Sequence, residues 1–307
     1  MSLHLKYRPA NLDEVEGNST TIKSLRATLA KSREDIPHAF LFTGPSGCGK
    51  TTLGRIVAEM LGAYGNDFAE MDSADFRGID TIREMRSRLA FKPMDKNSEC
   101  RAWLLDECHQ LSKDAQSALL KALEDTPKHC YIMLATTEPD KLLKTIRNRC
   151  ATFTVSLLAD RQIVSLLKDI CKTEKKKVPE DALKQIGRDC LGSARVAVVM
   201  LDSIIDMDKD DMLDAIDKAA EEATETILLC RLLMGKPRWE KVVAVIKKME
   251  DEPETVRRKV LGYLNVVVMG TPKKMGTAYA VMDAFRDNFY DSGKAGLTLA
   301  CWEAINE

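Results

Sequence analysis

From the start of the chain to about Val155, short apolar runs alternate with stretches of helical periodicity. The runs Ala39–Thr43, Phe68–Asp72, Trp103–Leu105, Tyr131–Ala135 and Ala151–Val155 read as strands, and their apolar character suits strands covered on both faces. Strands separated by helices predict a parallel sheet with helices on either side. After Val155 strand signals nearly stop and apolar residues recur every three or four positions. A first helix over Asp160–Glu174 ends at the charged break Lys175-Lys176-Lys177, which reads as a solvated linker. Pro179 opens a second helix. Gly192-Ser193 ends that one and caps a third over Ala194–Asp206.

The acidic stretch Asp206-Met207-Asp208-Lys209-Asp210-Asp211 marks a further boundary. Beyond it Met212–Met234, Trp239–Glu250, Pro253–Met269 and Lys273–Tyr290 are predicted helical, with breaks at Gly235, Pro237, Gly270 and Pro272. The last hundred residues therefore read as an all-α domain without internal repeats.

A chain of 307 residues can bury two or three cores. With 45% hydrophobic and 30% charged residues and no apolar run long enough to span a bilayer, it reads as multidomain and not membrane-bound. The opening Met1-Ser2-Leu3-His4-Leu5-Lys6 lacks the apolar core of a signal peptide, so the expected compartment is the one in which the chain is made, the cytoplasm. A net charge of -1 excludes a uniformly basic nucleic-acid binder, so any DNA contact must come from a local patch. The nine cysteines show no paired CxxC spacing and read as reduced thiols, mostly core filler.

The strongest chemical signal is Gly44-Pro45-Ser46-Gly47-Cys48-Gly49-Lys50-Thr51, a complete GxxxxGK[ST] loop that with Thr52 lies between the strand Ala39–Thr43 and the helical run Leu53–Leu61. Its glycines let backbone N–H groups surround phosphate oxygens, and the helix N-terminus adds a favourable dipole. Lys50 would reach the terminal phosphates, and Thr51 would offer its hydroxyl to Mg²⁺. The second signal is Trp103-Leu104-Leu105-Asp106-Glu107, a strand ending in two acids. In a doubly wound sheet ligands lie beyond the carboxyl ends of strands, so Asp106 can hold Mg²⁺ and Glu107 can polarise an attacking water.

The strand of Leu134-Ala135-Thr136-Thr137-Glu138-Pro139 ends in hydroxyls able to bond that water or a γ-phosphate, Thr137 being preferred over Thr136. Arg147 and Arg149 precede the strand Ala151–Val155, from whose edge they could reach a nucleotide held by a neighbouring subunit. Arg195 lies in the first turn of a helix, where the dipole disfavours a cation, so an anion such as bound nucleotide is expected near it.

Read together, these segments resemble the AAA+ clamp-loader family, in particular bacterial polymerase III γ/τ subunits and replication-factor-C subunits. Lys6-Tyr7-Arg8-Pro9 with Leu12-Asp13-Glu14-Val15 looks like the family's N-terminal motif, whose aromatic and arginine lie by the adenine and phosphates. Asp106-Glu107-Cys108-His109 looks like its DExx box, Thr136-Thr137-Glu138-Pro139 like its sensor-1 strand, and Asn148-Arg149-Cys150 like its SRC motif. The resemblance makes Arg149 a trans-acting arginine finger and Arg195 the sensor-2 arginine. It covers Leu3 to Met200 and is weak over the C-terminal third. Asn148 departs from the usual serine, and the cysteine quartet that holds zinc in γ/τ is missing between Thr51 and Asp106, where Cys100 stands alone. A compact chain without zinc or a τ-like extension fits a viral or minimal loader in a bacterial cell.

The resemblance implies an α/β fold in three parts: an AAA+ P-loop module over 1–156, a helical lid over 157–207 and an all-α collar over 208–307. It implies ATP and Mg²⁺ as cofactors. The implied partners are a sliding clamp, primer–template DNA, further copies of the chain and an additional, different loader subunit. In the run from Asp75 to Arg83, Arg77 and Arg83 are candidates for phosphate contacts, with Lys113 a third. Leu89 and Phe91 form an apolar tip suited to the clamp, and Gln116 is expected to couple DNA contact to Glu107. The alternative is a DNA branch-migration or helicase motor, which shares the core but would carry a C-terminal winged helix. The helices after Asp211 lack the β-hairpin of such a wing. A catalytically silent ATP-binding scaffold fits less well, because Lys50, Asp106, Glu107 and Arg149 are all present.

Overall fold

The structure, a computed structural model, describes residues 2–72, 78–208, 212, 215–216, 225–235, 237–249, 251–270 and 275–306. It divides into two compact units, one of Tyr7–Leu158 and one of Met1–Lys6 with Ala159–Glu307.

The first unit is built on five parallel strands, β1 (Ala39–Thr43), β2 (Phe68–Asp72), β3 (Arg101–Asp106), β4 (Cys130–Thr136) and β5 (Ala151–Thr154), in the order β2-β3-β4-β1-β5. Period-2 alternation sends successive side chains to opposite faces. Phe40, Phe42, Ala102, Leu104, Tyr131 and Met133 enter one core with Leu53, Ile56 and Val57. Leu41, Trp103, Leu105, Ile132 and Leu134 enter the other with Ile82, Met85 and Leu119. Both faces of the central strands β1, β3 and β4 are thus dry, which explains why these read as continuous apolar runs, whereas the edge strands β2 and β5 are partly exposed. The covering helices include α2 (Ser19–Leu29), α3 (Lys50–Met60), α4 (Ile79–Leu89), α5 (Lys113–Glu124) and the short α6 (Lys144–Arg147), α1 being Leu3–Lys6.

The second unit is helical in its described residues, with α7 (Asp160–Thr173), α8 (Glu180–Asp189) and α9 (Ala194–Ile204) followed by Glu225–Met234, Trp239–Lys248, Pro253–Gly270, Met275–Ala284 and Gly293–Asn306. Ser193 caps α9 by accepting the Val196 N–H, as the sequence predicts. Arg231 donates to the nearly buried Asp189 at 2.6 Å, tying a helix of the expected collar to α8 of the expected lid. The opening residues, expected with the nucleotide module, pack instead in this second unit. Asp202 accepts from Ser2 Oγ (2.8 Å) and from the Leu3 N–H (3.1 Å), and Lys6 pairs with Glu174 at 2.5 Å. The helix Gly293–Asn306 was not anticipated by the sequence pattern, and the predicted Lys273–Tyr290 helix stops at Ala284.

Candidate functional site

The glycine loop leaves β1 and turns into α3 through backbone that side chains disfavour. Gly44 has φ of +150°, and a Cβ there would stand 2.0 Å from the carbonyl oxygen of Val155. Gly49, the N-cap of α3, has φ of +101° with open space around it, so the demand there is conformational. The first turn of α3 carries no acidic residue of its own, and a helix N-terminus of that kind can receive an anion. Lys50 is the first helical residue and is 5% exposed. Its Nζ donates to the loop carbonyls of Gly44 (3.0 Å) and Pro45 (2.9 Å). The thiol of Cys48 is pushed up by burial, an effect partly offset by Lys50.

Asp106 ends β3, and Thr51 Oγ1 donates to its Oδ2 at 2.6 Å. The two expected Mg²⁺ ligands are therefore in direct contact. Glu107, which donates its N–H to Asp106 Oδ1 at 3.0 Å, has φ of +46°. A left-handed conformation at a non-glycine residue costs roughly 1 kcal/mol or more and re-aims the side chain away from the strand direction. Thr137 Oγ1 donates to Glu107 Oε2 at 3.3 Å, whereas Thr136 is fully buried and its Oγ1 accepts the Glu138 N–H at 3.0 Å. Of the two threonines, Thr137 is thus the one whose hydroxyl meets the acid. His109 and Glu138 join the same cluster, a pairing that sequence reasoning missed because only the fold brings the two strand ends together.

Arg149 Nη2 donates to Glu124 Oε1 at 2.6 Å and Nη1 to the Thr145 carbonyl at 3.1 Å, so the expected finger lies along the C-terminal end of α5. Arg147 turns back onto Asp140 at 2.8 Å. Arg195 is exposed in the first turn of α9, and Tyr7, Arg8 and Pro9 are half-buried at the start of the first unit.

Arg83 is exposed and donates to Asp80, three residues back on α4, at 3.1 Å, and Lys113 is exposed at the start of α5. Arg77 lies outside the described residues. The expectation for Leu89 is corrected: it is 3% exposed and packs in the sheet core beside Met85, so it offers nothing to a partner. Phe91 is 61% exposed, and Met94, which the sequence reading passed over, is more exposed still. The loop that carries them is fastened from below. His129 Nε2 lies 3.0 Å from the Phe91 carbonyl, and Asp67 accepts the N–H groups of Met94 and Asp95 at 2.8 to 3.0 Å. Burial pushes the Asp67 carboxyl up, but those N–H groups and Arg101 outweigh it and hold the carboxyl below its usual range.

A parallel sheet with a glycine loop at the end of β1, an Asp-Glu pair at the end of β3 and a hydroxyl at the end of β4 defines a P-loop module of the AAA+ type. Residues 63–159 match the family described as DNA polymerase III, delta subunit. The replication factor C small subunit of Methanococcus vannielii is 35% identical over 223 residues, covering 71% of this chain and 69% of that protein. DNA polymerase III subunit gamma/tau of Mycobacterium tuberculosis is 35% identical over 228 residues, or 67% of this chain. Subunit tau of Bacillus subtilis is 32% identical over 68% of it. The alignments reach 39% and 40% of those two relatives' own lengths. The chain belongs to the clamp-loader family of AAA+ subunits. Among solved structures, Thermotoga maritima RuvB, titled a Holliday junction branch migration motor, superposes with a TM-score of 0.63 at 20% identity over 85% of this chain and 91% of that one, a likeness of fold.

Proposed function

We propose that this chain is an ATP-hydrolysing subunit of a DNA sliding-clamp loader. ATP binding within an oligomer opens the clamp and grips primer–template DNA, and hydrolysis releases the clamp on the DNA. The observation that carries the reading is the 2.6 Å contact between Thr51 and Asp106, which sets the last residue of the glycine loop motif against the acid that ends β3.

The residues fit the cofactors. The Gly44 position admits no side chain, the α3 N-terminus faces the loop with Lys50 beside it, and a hydroxyl and a carboxylate meet as Mg²⁺ ligands would. When bound, Mg²⁺ neutralises charge on the phosphates. The loop residues Gly44 to Thr52 hold the phosphates, with Lys50 at the terminal ones, and Tyr7, Arg8 and Pro9 lie by the base. Glu107 orients the attacking water and accepts its proton, and Thr137 steadies that carboxylate. Arg149, released from Glu124, reaches the nucleotide of an adjoining subunit, and Arg195 of the lid reaches its own. Arg83 and Lys113, with Arg77, track DNA phosphates. Phe91 inserts in a groove on the clamp, and the helices after 208 form the collar of an assembly that includes a different loader subunit.

ATP hydrolysis measured with and without primed DNA and a cognate clamp tests this. Stimulation by both is expected. Lys50→Ala should abolish nucleotide binding, whereas Glu107→Gln should keep binding and lose turnover. ATP-driven strand separation or junction migration without a clamp would overturn the reading in favour of a branch-migration motor.

A further inference from the structure

His109 sits on the tight turn that follows β3, with only 10% of its side chain exposed, and its ring stands between two carboxylates. Nδ1 is 3.3 Å from Glu107 Oε2, and Nε2 is 3.3 Å from Glu138 Oε1. Nδ1 also lies 3.1 Å from Thr136 Oγ1, the fully buried hydroxyl that accepts the Glu138 N–H. Lys141 closes the far side by donating to Glu138 at 3.0 Å. A carboxylate only accepts, so each ring edge can bond its acid only through a hydrogen, and the ring bridges the two acids as the imidazolium, which carries a hydrogen on both nitrogens. The Nδ1 edge faces the same Glu107 oxygen that Thr137 bonds.

Glu107 needs such support. Its backbone is left-handed, its main chain is tied to Asp106, and its carboxylate is about 30% exposed, so the body of the acid does not fix its direction. The partners that face its Oε2, Thr137 and His109, both take their position from the turn Thr136-Thr137-Glu138 at the end of β4.

We propose that His109 is a positioning residue for Glu107, a bridge that sets the direction of this carboxylate by the place of the β4 end. It acts through Glu107 and touches neither nucleotide nor water. A small displacement of the β4 turn relative to β3 would then turn hydrolysis up or down without changing how tightly nucleotide is held. The inference rests on the ATPase reading above and gives Glu107 its regulation.

The test compares His109→Ala, His109→Asn and Glu107→Gln in steady-state ATP hydrolysis and in binding of a non-hydrolysable ATP analogue, all in the oligomer the full chain forms. Asparagine places an amide near the former Nδ1 edge but cannot reach Glu138. His109→Ala is expected to lower kcat roughly 10-fold to 100-fold, the range of outer-shell orienting groups, with analogue affinity within about twofold of wild type. His109→Asn is expected to recover about fivefold or more over the alanine variant, because a donor to Glu107 returns. Analogue affinity that falls in step with kcat, equal turnover of the Ala and Asn variants, or wild-type kcat in His109→Ala each overturns the bridge. Glu107→Gln separates the two levels: if it turns over ATP like wild type, or wild type does not hydrolyse ATP, the ATPase reading fails and takes this inference with it. If Glu107→Gln is inactive while His109→Ala is not, only the bridge fails.

Discussion

Replacing Gln116 with leucine strips three hydrogen bonds from a buried junction while keeping most of the side-chain volume. Gln116 is 4% exposed, and its Nε2 donates to the carbonyls of Leu111 (3.2 Å) and Lys141 (3.3 Å). Its Oε1 accepts the Leu143 N–H at 2.9 Å. In the leucine variant the two carbonyls keep a second lone pair for other partners, but the Leu143 amide loses the acceptor it has here. An unsatisfied buried amide costs about 1–3 kcal/mol, and this bond is only partly buried, so the segment before α6 should be loosened by about 1 kcal/mol. Because the chain holds two compact units, bulk unfolding need not be two-state, and hydrogen exchange at the Leu143 amide is the better assay. At a factor of ten for each 1.4 kcal/mol, that amide should exchange roughly fivefold faster, with β1 and β4 amides much less affected. Gln116→Glu should be worse, since a carboxylate oxygen would face the carbonyls of Leu111 and Lys141 where an amide now donates. A wild-type exchange rate at Leu143 in the leucine variant would refute the reasoning.

Gly44→Ala sets a Cβ 2.0 Å from the Val155 carbonyl, a backbone atom that cannot swing aside, so nucleotide affinity measured by titration of a fluorescent analogue should fall below detection. Glu254 is gripped by Arg257 at 2.8 Å, by Arg258 at 3.1 Å and by the Phe289 N–H at 3.0 Å. Led by Arg257, these hold its carboxyl down to about 2, against an ordinary 4.5. A carboxyl depressed on folding contributes stability that is complete above the unfolded value and fades as pH falls through the folded one, here from about 4.5 to about 2. The gap corresponds to about 3 kcal/mol, so Glu254→Gln should lower the melting point of the helical unit at pH 7, with the difference from wild type shrinking toward pH 2. Charge reversal at Arg83 should reduce the slope of log affinity for primed DNA against log salt by about one or more, and an unchanged slope would remove Arg83 from the DNA surface.

The first unit was legible because its signals are local. An apolar run closed by a glycine loop needs no distant partner to be recognised, and β1 and β2 fall on the predicted residues. The helix Gly293–Asn306 was illegible for the opposite reason. It opens on Gly293 and Gly296, and apolar residues lie all round it, with Leu299 and Trp302 exposed while Leu297 and Cys301 are buried, so it shows no helical period of polarity. The helix predicted over Lys273–Tyr290 ends early because Phe285 and Phe289 stack edge to face in the core, and Glu254 captures the Phe289 N–H. Those are tertiary contacts, and they outweigh propensity. The docking of Ser2 and Leu3 onto Asp202, and of His109 between Glu107 and Glu138, likewise joins residues that no sequence period connects.

The strand order gives the candidate site its mechanical character. In β2-β3-β4-β1-β5 the strand that carries the glycine loop and the strand that carries Asp106 are not neighbours, because β4 runs between them. The Thr51 to Asp106 contact therefore crosses in front of the end of β4, whose register sets Thr136 beside Thr43. Thr136 binds both sides: its carbonyl accepts the Gly44 N–H at 3.3 Å, and its hydroxyl meets His109 and the Glu138 N–H. A displacement of β4 along its axis would thus be felt at once by the glycine loop and by the cluster around Glu107, through a fully buried residue. Gln116 lies on α5, which follows β3, and Arg149 lies just past α6 and bonds the end of α5, so a pull on α5 or α6 from outside the chain has a short route to the same place.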